Sequence, residues 1–259
     1  QSPRPRDFDK FWEKSLKEVS KLKSDIELVP LKHPSPIAEV YDLYFTGTGG
    51  SRIHALFLKP KKITKPVPAV VEFHGYSGNC GSITSKLSYV AMGYAVASLD
   101  CRGQGGKSED LGGVKGTTLR GHIIRGIESP ETLLFRQIYM DCAQLVKIVM
   151  EMKCVDAGRI ATNGGSQGGG LSVAAAALVP EVACCVSCFP FLSDYKRVWN
   201  MDCSGAYEEI REYFRRHDPL HKKEEEFFNT LGYIDIQNLA ERIKAPVMMS
   251  VGMRDTVCP

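Results

Sequence analysis

The run Gly164-Gly165-Ser166-Gln167-Gly168-Gly169-Gly170 is where residue type and spacing most directly imply chemistry. A serine set among glycines has the composition of a nucleophile elbow, a sharp strand-to-helix turn that lifts a hydroxyl out of a sheet. Such a turn tolerates only small neighbours, and Gly164 and Gly168 supply them. The flanking sequence agrees, since residues 159–163 read as a short strand and the alanine-rich residues 171–179 read as a helix. Ser166 is therefore the predicted nucleophile. The backbone N–H of Gln167 would face the place where an oxyanion forms.

A serine nucleophile needs a base to take its proton and an acid to orient that base. In hydrolases built on this elbow the chain order is serine, acid, histidine. Asp255 follows a strand-like run at residues 246–251 and is the predicted acid; Asp194, Asp202 and Asp235 are weaker candidates. The second oxyanion donor is expected from the loop that opens with His74-Gly75-Tyr76, and the Tyr76 backbone N–H is nominated. The six histidines are His33, His54, His74, His122, His217 and His221, and none follows Asp255. His74 precedes the serine, the wrong order for a base of this class, and reads as a packing residue at the loop base. The run Asp100-Cys101-Arg102-Gly103-Gln104-Gly105-Gly106 could by itself suggest a phosphate loop, but it has no following Lys-Ser/Thr pair and no full dinucleotide spacing. Arg102 is better read as the partner of a nearby acid, with the glycines letting the loop pack beside the elbow.

The elements that must position these groups follow from periodicity. Apolar residues Phe8, Phe11, Trp12, Leu16 and Val19 recur at helical spacing over residues 8–22, with a cap near Asp7. Residues 37–45 and 52–58 alternate as a hairpin around Gly47-Thr48-Gly49-Gly50, and residues 69–73 and 94–99 read as buried strands flanking a helix at 82–92. Residues 100–127 form a long glycine-rich loop, of the kind that usually serves a site. A helix is predicted at 131–152 and a strand at 182–188. Residues 190–242 break the alternation with charged helical segments and read as an inserted cap. Strands alternating with helices imply a doubly wound, mostly parallel sheet that binds ligands at the carboxyl ends of its strands. Tyr76, Ser166 and Asp255 all fall at such ends. The expected architecture is an α/β-hydrolase fold in one domain over residues 1–259, with an N-terminal extension and the cap.

The chain has 259 residues, 43% hydrophobic and 24% charged, with a net charge of +3. That balance suits one globular α/β domain and gives no basic tract for nucleic acid. Nine cysteines, without metal-ligand spacing and several within apolar runs, read as free thiols of a reducing compartment. No apolar run is long enough for a membrane span and no signal peptide is visible. Gln1 is not a natural first residue, so a short N-terminal segment is expected to precede it.

Taken in order, His74-Gly75-Tyr76, Arg102-Gly103-Gln104-Gly105, the Gly164–Gly170 run and Gly252-Met253-Arg254-Asp255 resemble carbohydrate esterase family 7, the acetyl xylan esterases and cephalosporin C deacetylases. The likeness runs from about Arg4 to Pro259 and includes Thr118, Arg120-Gly121, Arg125-Gly126-Ile127 and Pro190-Phe191-Leu192. It implies a cytoplasmic serine esterase that deacetylates xylo-oligosaccharides, small acetylated sugars and cephalosporin-type esters. It further implies Ser166 and Asp255 as catalytic residues, Tyr76 and Gln167 as oxyanion donors, no metal or organic cofactor, and a hexamer with contacts through an extension of the hydrolase core. The family places its histidine and a last helix beyond the acid. The expectation is that these 259 residues are a fragment, because loss of the terminal strand and helix would uncover apolar sheet. Two other readings stand beside the esterase: a hydrolase fold that binds an ester or sugar without turnover, and a small serine peptidase of the prolyl-oligopeptidase type, for whose large extra domain the chain has no room.

Overall fold

The structure is a computed structural model that describes residues 3–112, 121–201 and 204–259. Two readings above, those of Asp202 and of Thr118 with Arg120, lie outside the described residues. Helix α1 (Phe8–Ser20) buries Phe8, Phe11, Trp12 and Val19, and the Trp12 indole N–H donates to the Tyr233 carbonyl at 2.9 Å. Asp7 occupies the N-cap position but makes no side-chain cap bond; its carboxylate accepts the Tyr233 hydroxyl instead. The start of α1 is thus fixed by packing against the distant 233 region rather than by local capping.

Strands β1 (Glu27–Leu31), β2 (Ala38–Thr46) and β3 (Arg52–Pro60) run antiparallel to one another, and β3 joins β5 (Ala95–Leu99) in the same sense. From there the sheet is parallel. Its members are β4 (Val67–Phe73), β5, β6 (Val155–Gly165), β7 (Cys184–Cys188) and β8 (Val247–Ser250). The full order is β1-β2-β3-β5-β4-β6-β7-β8. Helix α2 (Ile83–Ala91) links β4 to β5, with Ser82 as its N-cap, accepting from the Ser85 N–H. Helices α3 (Leu134–Met150) and α4 (Gln167–Leu178) pack against the central strands, and every residue of α4 is buried.

Three differences from the sequence reading have a clear physical cause. The sequence reading assigned no element to residues 27–31; Pro30 is tolerated in β1 because this strand lies at the sheet edge and pairs only with β2. Helix α3 starts at Leu134 rather than at residue 131, after a turn closed by Thr132 on the Gly126 carbonyl at 2.7 Å. Helix α4 starts at Gln167, four residues before the alanine-rich run, although its first turn holds three glycines. Glycine is a poor helix former by about 1 kcal/mol per residue. Close packing overrides that preference here, as the elbow makes clear below.

Between β7 and β8 the chain is helical, with α5 (Tyr195–Asn200), α6 (Glu208–His217), α7 (Glu224–Gly232) and α8 (Ile236–Leu239). Phe214, Phe227 and Phe228 form an aromatic cluster with Trp199 and Tyr213, which gives this region apolar packing of its own. Strand β8 stands apart from the other parallel strands. All four of its residues are exposed, Met248 to 72%, and Met253 in the turn that follows is 94% exposed.

Candidate active site

Ser166 links β6 to α4 with φ +57° and ψ −121°, a conformation that L side chains rarely adopt. The surroundings over-determine it. Its N–H donates to the Cys188 carbonyl at 3.0 Å, and its carbonyl accepts from the N–H groups of Gly170 and Phe191 at 3.1 and 3.0 Å. A Cβ on Gly168 would collide with the Phe73 carbonyl oxygen at the end of β4, and one on Gly164 would meet the Gly168 backbone. The glycines thus let β4, β6 and α4 approach until no side chain fits between them. This close approach holds the strained serine in place.

Asp255 lies in the turn after β8. Its Oδ1 accepts from the N–H groups of Cys258 and Val257, both at 2.8 Å, and these two bonds hold its carboxyl below the usual range. The same turn brings the Cys258 sulfur to 3.7 Å from the Ser166 Oγ. Ser166 and Asp255 are therefore brought to one end of the sheet, connected through Cys258. The other acids do not share this neighbourhood. Asp235 is buried, is pushed up to about 6 by burial, and accepts from the N–H groups of Asp194, Tyr195 and Gln237 as a structural cap. Asp194 caps α5 by accepting from the Arg197 N–H.

Tyr76 sits in the loop after β4. Among the described residues neither its N–H nor the Gln167 N–H donates to a protein acceptor. The Tyr76 hydroxyl accepts from the His122 N–H at 2.9 Å, and its ring packs on His122 and Phe191. Ser77, next to it, has φ +57°; its N–H donates to the Gln104 Oε1 at 2.8 Å and its Oγ lies 3.1 Å from the His122 Nε2. The Gln167 side chain is buried and faces Gln104.

His74 is a structural residue. Its Nδ1 is 2.7 Å from the Gly75 carbonyl and must carry the proton, while its Nε2 accepts the Cys101 N–H at 3.0 Å. Burial lowers its pKa. Arg102 forms a buried two-pronged pair with Asp141, both contacts at 2.6 Å, and also donates to the Thr48 carbonyl at 3.0 Å. No phosphate cradle is formed there.

One group among the described residues could offer metal ligands: His54, Cys80 and Asp100, with ligand atoms within 4.8 Å of one another. Hydrogen bonding already occupies them. The two His54 ring nitrogens reach Asp100 Oδ2 at 2.6 Å and Asp42 Oδ1 at 2.8 Å, and the second Asp100 oxygen accepts the Cys80 N–H at 2.6 Å. Gln104, His122 and Cys258 belong to the neighbourhood of Ser166 and Tyr76 and were not picked out beforehand. Gln104 was legible only as part of the glycine-rich loop, and nothing in the sequence marks the contact of Cys258 with Ser166.

A parallel sheet carrying a strained serine at a strand-to-helix elbow, with an acid after a later strand, defines the serine α/β-hydrolase class. The acetyl xylan esterase family (AXE1) matches residues 1–259. The chain belongs to that family. It superposes with a TM-score of 0.97 on acetyl xylan esterase 1 from Thermoanaerobacterium sp. JW/SL YS485, at 53% identity, covering 100% of this chain and 82% of the other. A second superposition, on an acetyl xylan esterase from Paenibacillus sp. R4, also has a TM-score of 0.97, at 36% identity, covering 100% of this chain and 83% of the other. The acetyl esterase Axe7A of Xylanibacter ruminicola is 27% identical over 263 residues, which span 98% of this chain and 58% of that protein. The chain therefore spans little more than half the length of this curated relative. No helix of the described residues is long and apolar enough to cross a membrane.

Proposed function

We propose that the whole protein is a serine esterase that removes acetyl groups from acetylated xylo-oligosaccharides and other small acetylated sugars, and from cephalosporin C-like esters. The observation that carries this reading is the elbow: a strained, half-buried Ser166 with two backbone N–H groups, those of Tyr76 and Gln167, that have no protein acceptor among the described residues. Ser166 attacks the acetyl carbonyl. The two N–H groups receive the oxyanion, and preorganised donors of this kind are each worth roughly a hundredfold in rate or more. The sugar alcohol leaves, and water then releases acetate from the acyl-enzyme. Asp255, held ionised by the N–H groups of Val257 and Cys258, orients the histidine base that such a triad requires. The exposed β8, with apolar Met248 and Met249, leaves that side of the sheet open to an apolar cover. The chemistry uses a nucleophile, a base and two donors, and requires no metal or organic cofactor.

In this reading the helices between β7 and β8 cap the site. The antiparallel strands β1–β3 supply the extension for a hexamer, with exposed Ile26, Leu28 and Ile37 supporting buried contacts there. The free thiols fit a cytoplasmic enzyme.

The test is acetate release from p-nitrophenyl acetate and acetylated xylo-oligosaccharides by the full-length protein. Ser166→Ala is expected to abolish it, and the wild-type rate is expected to fall below roughly pH 6–7 as the imidazole protonates. Activity that survives Ser166→Ala overturns the reading. Binding of acetylated sugar with no turnover by wild type would favour a silent binding protein, and cleavage of peptides in preference to esters would favour a peptidase.

A further inference from the structure

The loop after β5 carries a side chain that the elbow chemistry does not itself require. Gln104 lies between the two segments that bear the unpaired N–H groups. Its Oε1 accepts the Ser77 N–H at 2.8 Å and the Gln167 Nε2 at 3.0 Å, and its Nε2 donates to the Gln167 Oε1 at 2.9 Å. The two amides thus form a closed reciprocal pair. The remaining Gln167 Nε2 hydrogen reaches the His74 carbonyl at 3.3 Å. The loop is consequently held on both sides of Tyr76, at His74 by Gln167 and at Ser77 by Gln104. Ser77 has φ +57°, so this stretch needs an external restraint to keep its shape.

Gln104 is itself held. Asp100 anchors the loop by accepting from the Cys80 and Lys107 N–H groups at 2.6 and 2.9 Å and from His54 at 2.6 Å. Arg102, two residues before Gln104, is locked on Asp141. A primary amide is the group that suits this position. It accepts from one backbone N–H while pairing with a second amide in both directions. A carboxylate would turn an acceptor toward the Gln167 Oε1, and a shorter side chain would reach neither partner.

We propose that Gln104 is a positioning residue for the oxyanion hole: through its amide pair with Gln167 and its bond to the Ser77 N–H, it fixes the distance and angle between the Tyr76 and Gln167 N–H groups. This deepens the esterase reading and rests on it. Gln104 does not touch the reacting atoms. Its effect falls on the tetrahedral species, where the oxyanion forms, rather than on the bound ester.

The experiment uses the full-length protein with Gln104→Ala, Gln104→Glu, Gln167→Ala and the Gln104→Ala/Gln167→Ala double variant, and with Ser166→Ala as reference. Initial rates are measured on p-nitrophenyl acetate. Phenylboronic acid, which bonds to a serine Oγ and presents a tetrahedral anion, is titrated as an inhibitor. Gln104→Ala is expected to lower kcat about 10- to 100-fold, because small misplacements of a catalytic group cost that much, while KM changes by less than about threefold. The phenylboronic acid inhibition constant should weaken in step with kcat/KM. The double variant should be little worse than either single one, because one clamp is removed in each case. Gln104→Glu, nearly the same size, should show the same kcat defect and serves if the alanine variant folds poorly. An unchanged kcat, a loss confined to KM, or boronate affinity that stays at the wild-type level overturns the proposal. If Ser166→Ala keeps full activity, the esterase reading fails instead. If Ser166→Ala is dead and both Gln104 variants are fully active, only the clamp fails.

Discussion

At the scale of residues, the elbow was legible because its requirements are steric. Gly164 and Gly168 stand where β4, β6 and α4 meet, and the sequence exposes that need as glycines at fixed offsets from a serine. Gly168→Ala must push a methyl group into the Phe73 carbonyl. Overpacking of that kind typically costs about 1–3 kcal/mol. The variant is expected to lose at least that much in urea denaturation and to lose esterase activity with it, since the strained Ser166 depends on the same contact. A variant of wild-type stability would show that the approach of β4 to α4 is looser than the geometry indicates. The partners of Ser166 and Tyr76 were less legible. Cys258 reaches the Ser166 hydroxyl through the turn that Asp255 organises, and His122 meets Tyr76 from a loop 46 residues away. Neither contact leaves a local sequence pattern.

At the scale of elements, the loop after β5 shows how charge organises a site without joining the chemistry. Asp100 is held at a pKa of about 2, below the usual aspartate range; burial opposes this, and bonds from His54 and from the Lys107 and Cys80 N–H groups outweigh it. Because the folded pKa lies below the unfolded one, the resulting stability is present above about pH 4 and is lost as pH falls toward 2. Asp100→Asn is expected to lower the thermal midpoint at pH 6 and to make the variant less sensitive to acid between pH 4 and 2 than wild type. Parallel acid sensitivity in the two proteins would contradict this. Element types were largely legible, because the hairpin of β2 and β3 and the helix α1 carry clear periodicity and β4 and β5 are short apolar runs. Strand β1, short, edge-placed and interrupted by Pro30, carries no clear alternation to read. The start of α4 was hidden by three glycines that read as a loop until the close packing around them is seen.

At the scale of the whole molecule, an eight-stranded sheet brings Tyr76, Ser166 and Asp255 from three separate strand ends to one rim, and the helices between β7 and β8 stand beside it. That region contributes two acids that shape stability, the partly buried Glu209 of α6 and the buried Asp235 that caps α8. Burial pushes Glu209 up to about 7 and Asp235 up to about 6, in spite of the backbone N–H groups each accepts from. A raised folded pKa means stability that is present below the unfolded value and declines as pH rises through the folded one. Glu209→Gln, which keeps an acceptor for the Ile123 N–H, is therefore expected to flatten the fall in thermal midpoint between about pH 5 and 8. An unaltered slope would mean that Glu209 is ionised at little cost. The central claim concerns Ser166, and covalent capture tests it most directly. The full-length protein is treated with an organophosphate ester such as paraoxon, digested, and mapped by mass spectrometry while residual acetyl esterase activity is followed. The account predicts one phosphoryl adduct, on the peptide bearing Ser166, accumulating in proportion to lost activity. An adduct on another residue, or full activity in a protein fully labelled at Ser166, would contradict it.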